Sequence, residues 1–413
     1  NGNVTTYTYD FELPTNDPKY GTRGDLIKIT YPTVAAGTPV TEFSYNSYGQ
    51  VTEVIDPNGN TTQYTYGSTT GYLVSVSQDP TGINAITSFT YDANGYPDTV
   101  TDAENHTTNF DYDTLGWLNQ VTDPLGYVTK HTYDANGNII KTEKQANTAG
   151  TLWQTTEFTY DVLNHIKTLK DPLNRITTYN YDNNENLAST VDALNKTTTS
   201  LYDERNLLFT VTDANSPAGV TRYDYDINGS LAKLTDANAN ATNYTYDLFD
   251  RLTTTTYADT STEQLTYDKN SNAATRTTPN AQQIQYTYDN LNRLTNQNYP
   301  SNSALNITNV YDLGSRLTSS ANSYSTNAFT YDNLNRALTN TQALTGASYT
   351  VNYAYNDLLQ TGVTYPSSKN VTYAYNADNL LTALNVGGSA LMNLTYDTLN
   401  RRAQKDLTGS ATK

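Results

Sequence analysis

Polar and apolar residues alternate along this chain in short runs, and the runs stop at turns. In "NTTQYTY" (residues 60–66), Thr62, Tyr64 and Tyr66 fall on one face of an extended segment and Thr61, Gln63 and Thr65 on the other. This is the two-residue period of a half-buried strand. The run after each turn, such as "WLNQVT" (117–122), is less regular, because Leu118 and Val121 are three apart and cannot share a face in an unbroken strand. A bulge just after the turn glycine restores the parity. Both runs are about six or seven residues long, the usual length of a strand.

The pattern repeats. A tyrosine, usually followed by Asp, closes the alternating run at Tyr9, Tyr45, Tyr66, Tyr91, Tyr112, Tyr133, Tyr160, Tyr181, Tyr202, Tyr225, Tyr246, Tyr267, Tyr288, Tyr311, Tyr331, Tyr355, Tyr375 and Tyr396. These 18 anchors leave 17 spacings, of which nine are 21 residues and all but the first lie between 20 and 27. A fixed period in this range is the mark of a repeat architecture. The residue two before the anchor is aromatic in 13 of the 18 units, as at Phe43, Phe89, Phe110, Phe158, Tyr244 and Phe329. His131 takes that slot before Tyr133 and is expected to pack there. Anchors and −2 positions together predict one aromatic stripe, carried by Tyr66, Phe89, Tyr91, Phe110, Tyr112, Tyr133, Phe158, Tyr160, Tyr181, Tyr202, Tyr225, Tyr246, Tyr267, Tyr288, Phe329 and Tyr331.

Two turns punctuate each unit. The first, after the anchor, reads Asp-x-x-Gly, as at Asp92–Gly95, Asp113–Gly116 and Asp134–Gly137. The second adds proline, as at Asp56–Gly59 and Asp123–Gly126. Asp at position i accepts a backbone hydrogen bond, proline suits i+1, and glycine at i+3 takes the left-handed conformation. Asn replaces the glycine at Asn164, Asn174 (in the turn from Asp171), Asn195 and Asn292, being the next residue to tolerate positive φ.

Two strands and two turns per unit predict an all-β fold: an antiparallel hairpin meander of about 18 repeats of about 21 residues. Strand twist would curl so long a meander into a single-layered spiral, tube or shell segment, stabilised by contacts between neighbouring units. Residues 1–413 are read as one continuous array, with an irregular first unit at 10–43, an insertion at 138–157, four extra residues within 67–88, and degenerate repeats after 311. Insertions in repeat arrays are expected to form loops.

Composition narrows the function. The chain has 41 acidic and 24 basic residues, for a formal charge of −17, which disfavours nucleic acid and anionic membrane as partners. It has no cysteine, hence no disulfide or thiolate chemistry, and no apolar run long enough to span a membrane as a helix. Paired carboxylates can do acid–base work or gather oxygens around Ca²⁺. Each Asp column, however, sits at turn position i, and calcium-binding repeat loops place Asp at alternate positions instead. The columns are therefore read as corners. His106, His131 and His165 have no metal-ligand spacing. "RGD" at 23–25 is read as a turn, and N-x-S/T matches such as Asn60, Asn105, Asn195 and Asn240 as by-products of Asn in the turn and Thr in the strand. No catalytic residue, metal site or cofactor is expected, and the chain is read as a non-enzymatic protein.

"FTYDANG", "YTYDNLNRLT" and "VTDPLG" resemble the YD-repeat (Rhs) family across essentially the whole chain. That family includes Rhs polymorphic-toxin cores, C components of insecticidal toxin complexes, wall-associated bacterial proteins and teneurin barrels. The resemblance implies a hollow, single-layered β-shell. Toxin-encapsulating members add a plug, a cleavage segment and a variable toxin, none of which is read here. The two ends, "NGNVTTYTYD" and "DLTGSATK", enter and leave near the same phase, the latter at a turn over Asp406–Gly409. The meander is thus expected to continue past both ends, in a longer chain or by head-to-tail addition of copies, which would give a fibre. The function expected is a secreted or bacterial cell-surface fibre, sheath or shell wall. The alternatives are a fragment of a cocoon that encapsulates a toxin cargo, and a carbohydrate-binding adhesin.

Overall fold

The computed structural model describes residues 3–147, 149–215 and 217–408. Among them are 36 β-strands and two single 3-10 turns, Asp10–Glu12 and Ser303–Leu305. Among the described residues, consecutive strands pair in antiparallel sense, as for Thr6–Tyr9 with Leu26–Thr30 and for Ser389–Tyr396 with Arg402–Leu407. The hairpin meander read from the two-residue period is the fold.

The bulge after the turn is present and regular. Leu118 pairs with Tyr112, Gln120 with Asp111 and Val121 with Phe110, so Asn119 is the extra residue. The same slip occurs beside Tyr45, Tyr160, Tyr246 and Tyr331. One inserted residue brings Leu118 and Val121 onto the face of Phe110 and Tyr112. In some hairpins two residues of the aromatic stripe face two aliphatic residues, as in Tyr160 against Ile166 and Phe158 against Leu169; in others the second partner is polar, as Thr255 is opposite Tyr244. The stripe is half-buried, while the intervening positions, such as Gln63 and Thr65, are exposed. Among the described residues the buried apolar side chains are few: Ile27, Val34, Ala85, Ile284, Val363, Val371 and Leu394, with Pro39 sealed completely. Stability rests on repeated cross-strand pairs and not on one deep core.

The turns follow one geometry. At Asp56 the backbone N–H donates to the Asn60 carbonyl at 2.9 Å, and Gly59 N–H returns to the Asp56 carbonyl at 2.9 Å. Oδ1 of Asp56 accepts from the N–H groups of Asn58 (2.8 Å) and Asn60 (2.9 Å). Gly59 has φ +84°, and Asn164, Asn174, Asn195 and Asn292 take the same conformation at φ 67°, 61°, 59° and 60°. Glu185 (φ 68°), Ala239 (64°) and Thr260 (69°) also occupy it, which composition did not foretell.

Two insertions are built into the sheet as well as into loops. The segment at 138–157 lengthens a hairpin, with strands Ile139–Gln145 and Trp153–Tyr160. Within 10–43, strand Leu26–Thr30 and a Val34–Gly37 bridge form. Extra residues that can continue a ladder satisfy their backbone groups there. Of the turn expected at Asp406–Gly409, Asp406 pairs with Asn393 in the last strand, while Gly409 lies outside the described residues, as do Asn1 and Gly2 at the other end.

The chain divides into two compact units, one drawn from Asn1–Val128, Thr287–Asn298 and Asn302–Lys413, the other from Thr129–Tyr286 and Tyr299–Ser301. The second is a plain run of hairpins. In the first, the chain comes back on itself.

Candidate functional site

The Asp columns are occupied by their own turns. Oδ1 of Asp113 accepts from Leu115 and Trp117 N–H, both at 2.9 Å; that of Asp134 from Asn136 and Asn138, both at 2.9 Å; and that of Asp171 from Leu173 and Arg175, both at 2.9 Å. Asp92 is held alike by Asn94 and Tyr96, and Asp123 by Tyr127 at 2.7 Å. The Asn138 side-chain amide holds the Asp134 carboxyl below the usual range, and the Arg175 side chain does the same for Asp171. Among the described residues, no group of three or more His, Asp or Glu is placed to hold a metal ion. The Arg-Gly-Asp tripeptide is also a corner. Arg23 bonds to Asp25 and to the Asn46 and Ser47 carbonyls, and Gly24 has φ +84°.

The anchor tyrosines do more than pack. Tyr66 Oη donates to the Val51 carbonyl (2.8 Å), Tyr160 to Ile139 (2.8 Å), Tyr246 to Leu231 (2.8 Å) and Tyr331 to Leu317 (2.7 Å). Each acceptor lies one unit back, opposite the previous anchor, as Val51 is opposite Tyr45. The hydroxyl therefore ties unit to unit, which explains why this column is Tyr while the −2 column takes Phe. Burial raises the pKa of Tyr66, Tyr160 and Tyr246. His131, in the −2 slot, bonds through Nδ1 to Thr142 Oγ1 at 3.1 Å, and burial lowers its pKa, with Lys144 adding to the effect.

A second column, five residues after the anchor, covers the next anchor ring. Tyr72, one place later because of the longer turn, meets Tyr91 at 4.8 Å; Tyr96 meets Tyr112 at 5.0 Å; and His165 meets Tyr181 at 4.7 Å. Guanidinium groups take the same place: Arg251 over Tyr267, Arg293 over Tyr311, Arg316 over Tyr331 and Arg336 over Tyr355, at 4.4 to 4.8 Å. Each Arg also donates through Nε to its own turn Asp, as Arg293 does to Asp289 at 2.7 Å, and through a terminal nitrogen to the next turn, as Arg293 does to the Asp312 carbonyl at 2.8 Å. The sequence reading missed this column. Its signal was the recurring "LNR" of 291–293, 334–336 and 399–401.

In the first unit, second turns of early hairpins meet anchor turns of late ones. Asn58 accepts from Gly314 N–H (2.7 Å), Asp79 from Asn333 (3.1 Å), and Glu104 from the Asn356 side chain (2.8 Å) and Leu358 N–H (3.0 Å). Asn290 donates to the Thr33 carbonyl at 2.8 Å, and Asn379 to Asp102 at 3.1 Å. The turn between the fourth and fifth strands thus meets the turn between the twenty-seventh and twenty-eighth, twenty-three strands on. Asp79 to Asn333 and Glu104 to Asn356 keep the same offset. Contact is made by turn tips and not by strand edges. Here Asp123 is raised in pKa by burial and further by the neighbouring Asp378 carboxylate, whose two oxygens are buried without a hydrogen bond.

The family model for the RHS Repeat matches residues 45–83 and 112–151. These stretches are RHS repeats. The fold of the chain is similar to that of a TcdB2-TccC3-Cdc42 crystal structure, with a TM-score of 0.62 and 16% identity, over 99% of this chain and 25% of that one. A TcdB2-TccC3 crystal structure gives a TM-score of 0.61 and 13% identity over 98% and 28% of the two chains. A Photorhabdus luminescens Tc holotoxin pore gives 0.56 and 16% over 95% and 26%. The RHS-repeat chain spans about a quarter of the length of these solved chains, and at such identity the likeness is one of fold. No curated protein matches its sequence significantly. No described helix of the chain is long and apolar enough to cross a membrane.

Proposed function

We propose that the chain is a wall segment of a secreted Rhs/Tc-type shell that encloses a polypeptide cargo, and that it performs no chemistry itself. The observation that carries this reading is the turn-on-turn contact that recurs at an offset of twenty-three strands in the first unit. Such contacts stack one course of hairpins on another while every strand keeps its ladder partners, which is what a wall one sheet thick requires. The fold likeness to Tc structures supports it. So does the engagement of the turn carboxylates by their own backbone, which leaves them poor candidates for acid–base work. A second reading, a secreted fibre or sheath of many copies, is favoured by an unfilled groove on the free turn edge.

Electron microscopy of the protein purified from its native source, with mass spectrometry of whatever co-purifies, tests the proposal. Closed hollow particles with a protected polypeptide inside are expected. Open filaments, or hollow particles whose interior never holds protein, would count against it.

A further inference from the structure

The strongest unexplained feature is a groove that repeats an occupied one. The sequence Thr-Tyr-Pro occurs at 30–32 and again at 364–366, in both cases just after a strand and at the second-turn edge. At the first copy, Tyr31, Pro39 and Pro57 line a cavity of about 370 Å³ whose opposite wall is Leu291 and Leu313, from the tips of two anchor turns. Tyr31 is half-buried there and Pro32 is buried. At the second copy, Tyr365, Pro366, Tyr349, Val371 and Val386 line a groove of about 780 Å³, and no anchor-turn residue lines it. Tyr349 and Tyr365 are 47% and 44% exposed.

The complementary surface is present as well. Leu291 and Leu313 stand at the two central positions of their turns. At the same positions elsewhere the chain carries large apolar residues that stand exposed: Leu248 is 100% exposed, Val162 98%, Ile227 94% and Leu115 67%. They contribute nothing to their own hairpins, since a turn needs only its Asp and its left-handed residue. Other turns place Ala and Asn there, as in "DANG" at 92–95. Apolar side chains repeated along one line of turn tips mark an interaction surface.

We propose that the groove at Tyr349, Tyr365 and Pro366 receives an apolar anchor-turn tip from a second copy of this chain. The contact continues, between molecules, the interface that Leu291 and Leu313 make with Tyr31, Pro39 and Pro57 within one. It is heterologous, because groove and tip are different surfaces, so it propagates unless a rotation closes it. Each chain carries −17, so the copies repel and salt should strengthen their association. The inference does not depend on a cargo being enclosed.

Sedimentation velocity on the full chain tests it, with circular dichroism as the check on folding. The wild-type chain should associate as concentration and salt rise. A tip variant, V162N/I227N/L248N, and a groove variant, Tyr365→Ser, should each raise the dissociation constant by about ten-fold or more, the usual effect of removing an apolar anchor from its pocket. Mixed together, the two variants should associate more tightly than either does alone, since the groove of one still meets the intact tips of the other, but they should form no open chain. A wild-type chain that stays monomeric overturns the proposal, whether the groove is then filled by further repeats of a longer chain or by a sugar. So does association that neither variant weakens.

Discussion

At the scale of the residue, the anchor position is chosen for its hydroxyl. Phe would fill the same stripe, but only Tyr reaches back to the carbonyl of the preceding unit, as Tyr246 does to Leu231 at 2.8 Å. Tyr246→Phe should therefore cost about 1 kcal/mol, read as a shift of the urea midpoint with unchanged circular dichroism. Burial of the anchor rings sets the alkaline limit. Burial raises the pKa of Tyr160, Tyr246 and Tyr375, among others. A raised folded pKa means that the stabilisation is complete below the ordinary tyrosine value, about 10, and is lost as pH climbs through the folded value. The turn aspartates have the opposite sign. Asn240 holds the Asp236 carboxyl low and Asn186 holds that of Asp182 low. Their contribution is present above the unfolded value, about 4, and is lost as pH falls through the folded one. A plateau of stability between these limits, falling away on both sides, is the expected urea-midpoint profile; a stability maximum at the pI would contradict it.

At the scale of the element, the hairpin is a turn, a bulge and two short strands, and its weak point is the left-handed residue. Gly126 has φ +86° with nothing near the place of a Cβ, so Gly126→Val tests the backbone alone and should cost about 1–3 kcal/mol. Thr260 sits at φ 69°, an unfavourable place for a β-branched residue. Thr260→Asn should stabilise by roughly 0.5–1 kcal/mol, since Asn tolerates this conformation better, and thermal melts would show it. The bulge is equally necessary. Without Asn119 as the extra residue, Leu118 and Val121 would point to opposite faces, and half the aliphatic partners of the stripe would turn to water.

At the scale of the whole molecule, the turn-on-turn contacts of the first unit join hairpins more than 250 residues apart, as between Asn58 and Gly314, where the separation is 256. They rest on a few polar side chains. Glu104→Ala removes the acceptor for Asn356 and for Leu358 N–H, and amide hydrogen exchange should quicken around 356–359 while the turn at Asp102 stays protected. Asp378 works against the same contact, with both carboxylate oxygens buried, without hydrogen bonds, beside Asp123. Asp378→Asn removes a charge that has no partner. Exchange in the turns at 123–126 and 376–379 should slow, and the raised pKa of Asp123 should relax toward its ordinary value. Faster exchange would mean that the Asp378 charge supports the contact.

The sequence alone determined the hairpin unit, its length, both turns, the bulge and the identity of the stripe. All of these are local: a two-residue period, a left-handed corner and one parity error, each complete within about 21 residues. The resemblance of "YTYDNLNRLT" to Rhs repeats was visible for the same reason. The tertiary structure decided what each hairpin touches beyond its ladder. That a Tyr hydroxyl crosses to the previous unit, that Arg293 covers Tyr311, and that Asn58 meets Gly314 twenty-three strands later depend on the twist accumulated from strand to strand. No single repeat records that sum, because a small change in twist per strand moves the meeting point by whole hairpins while leaving every local pattern intact.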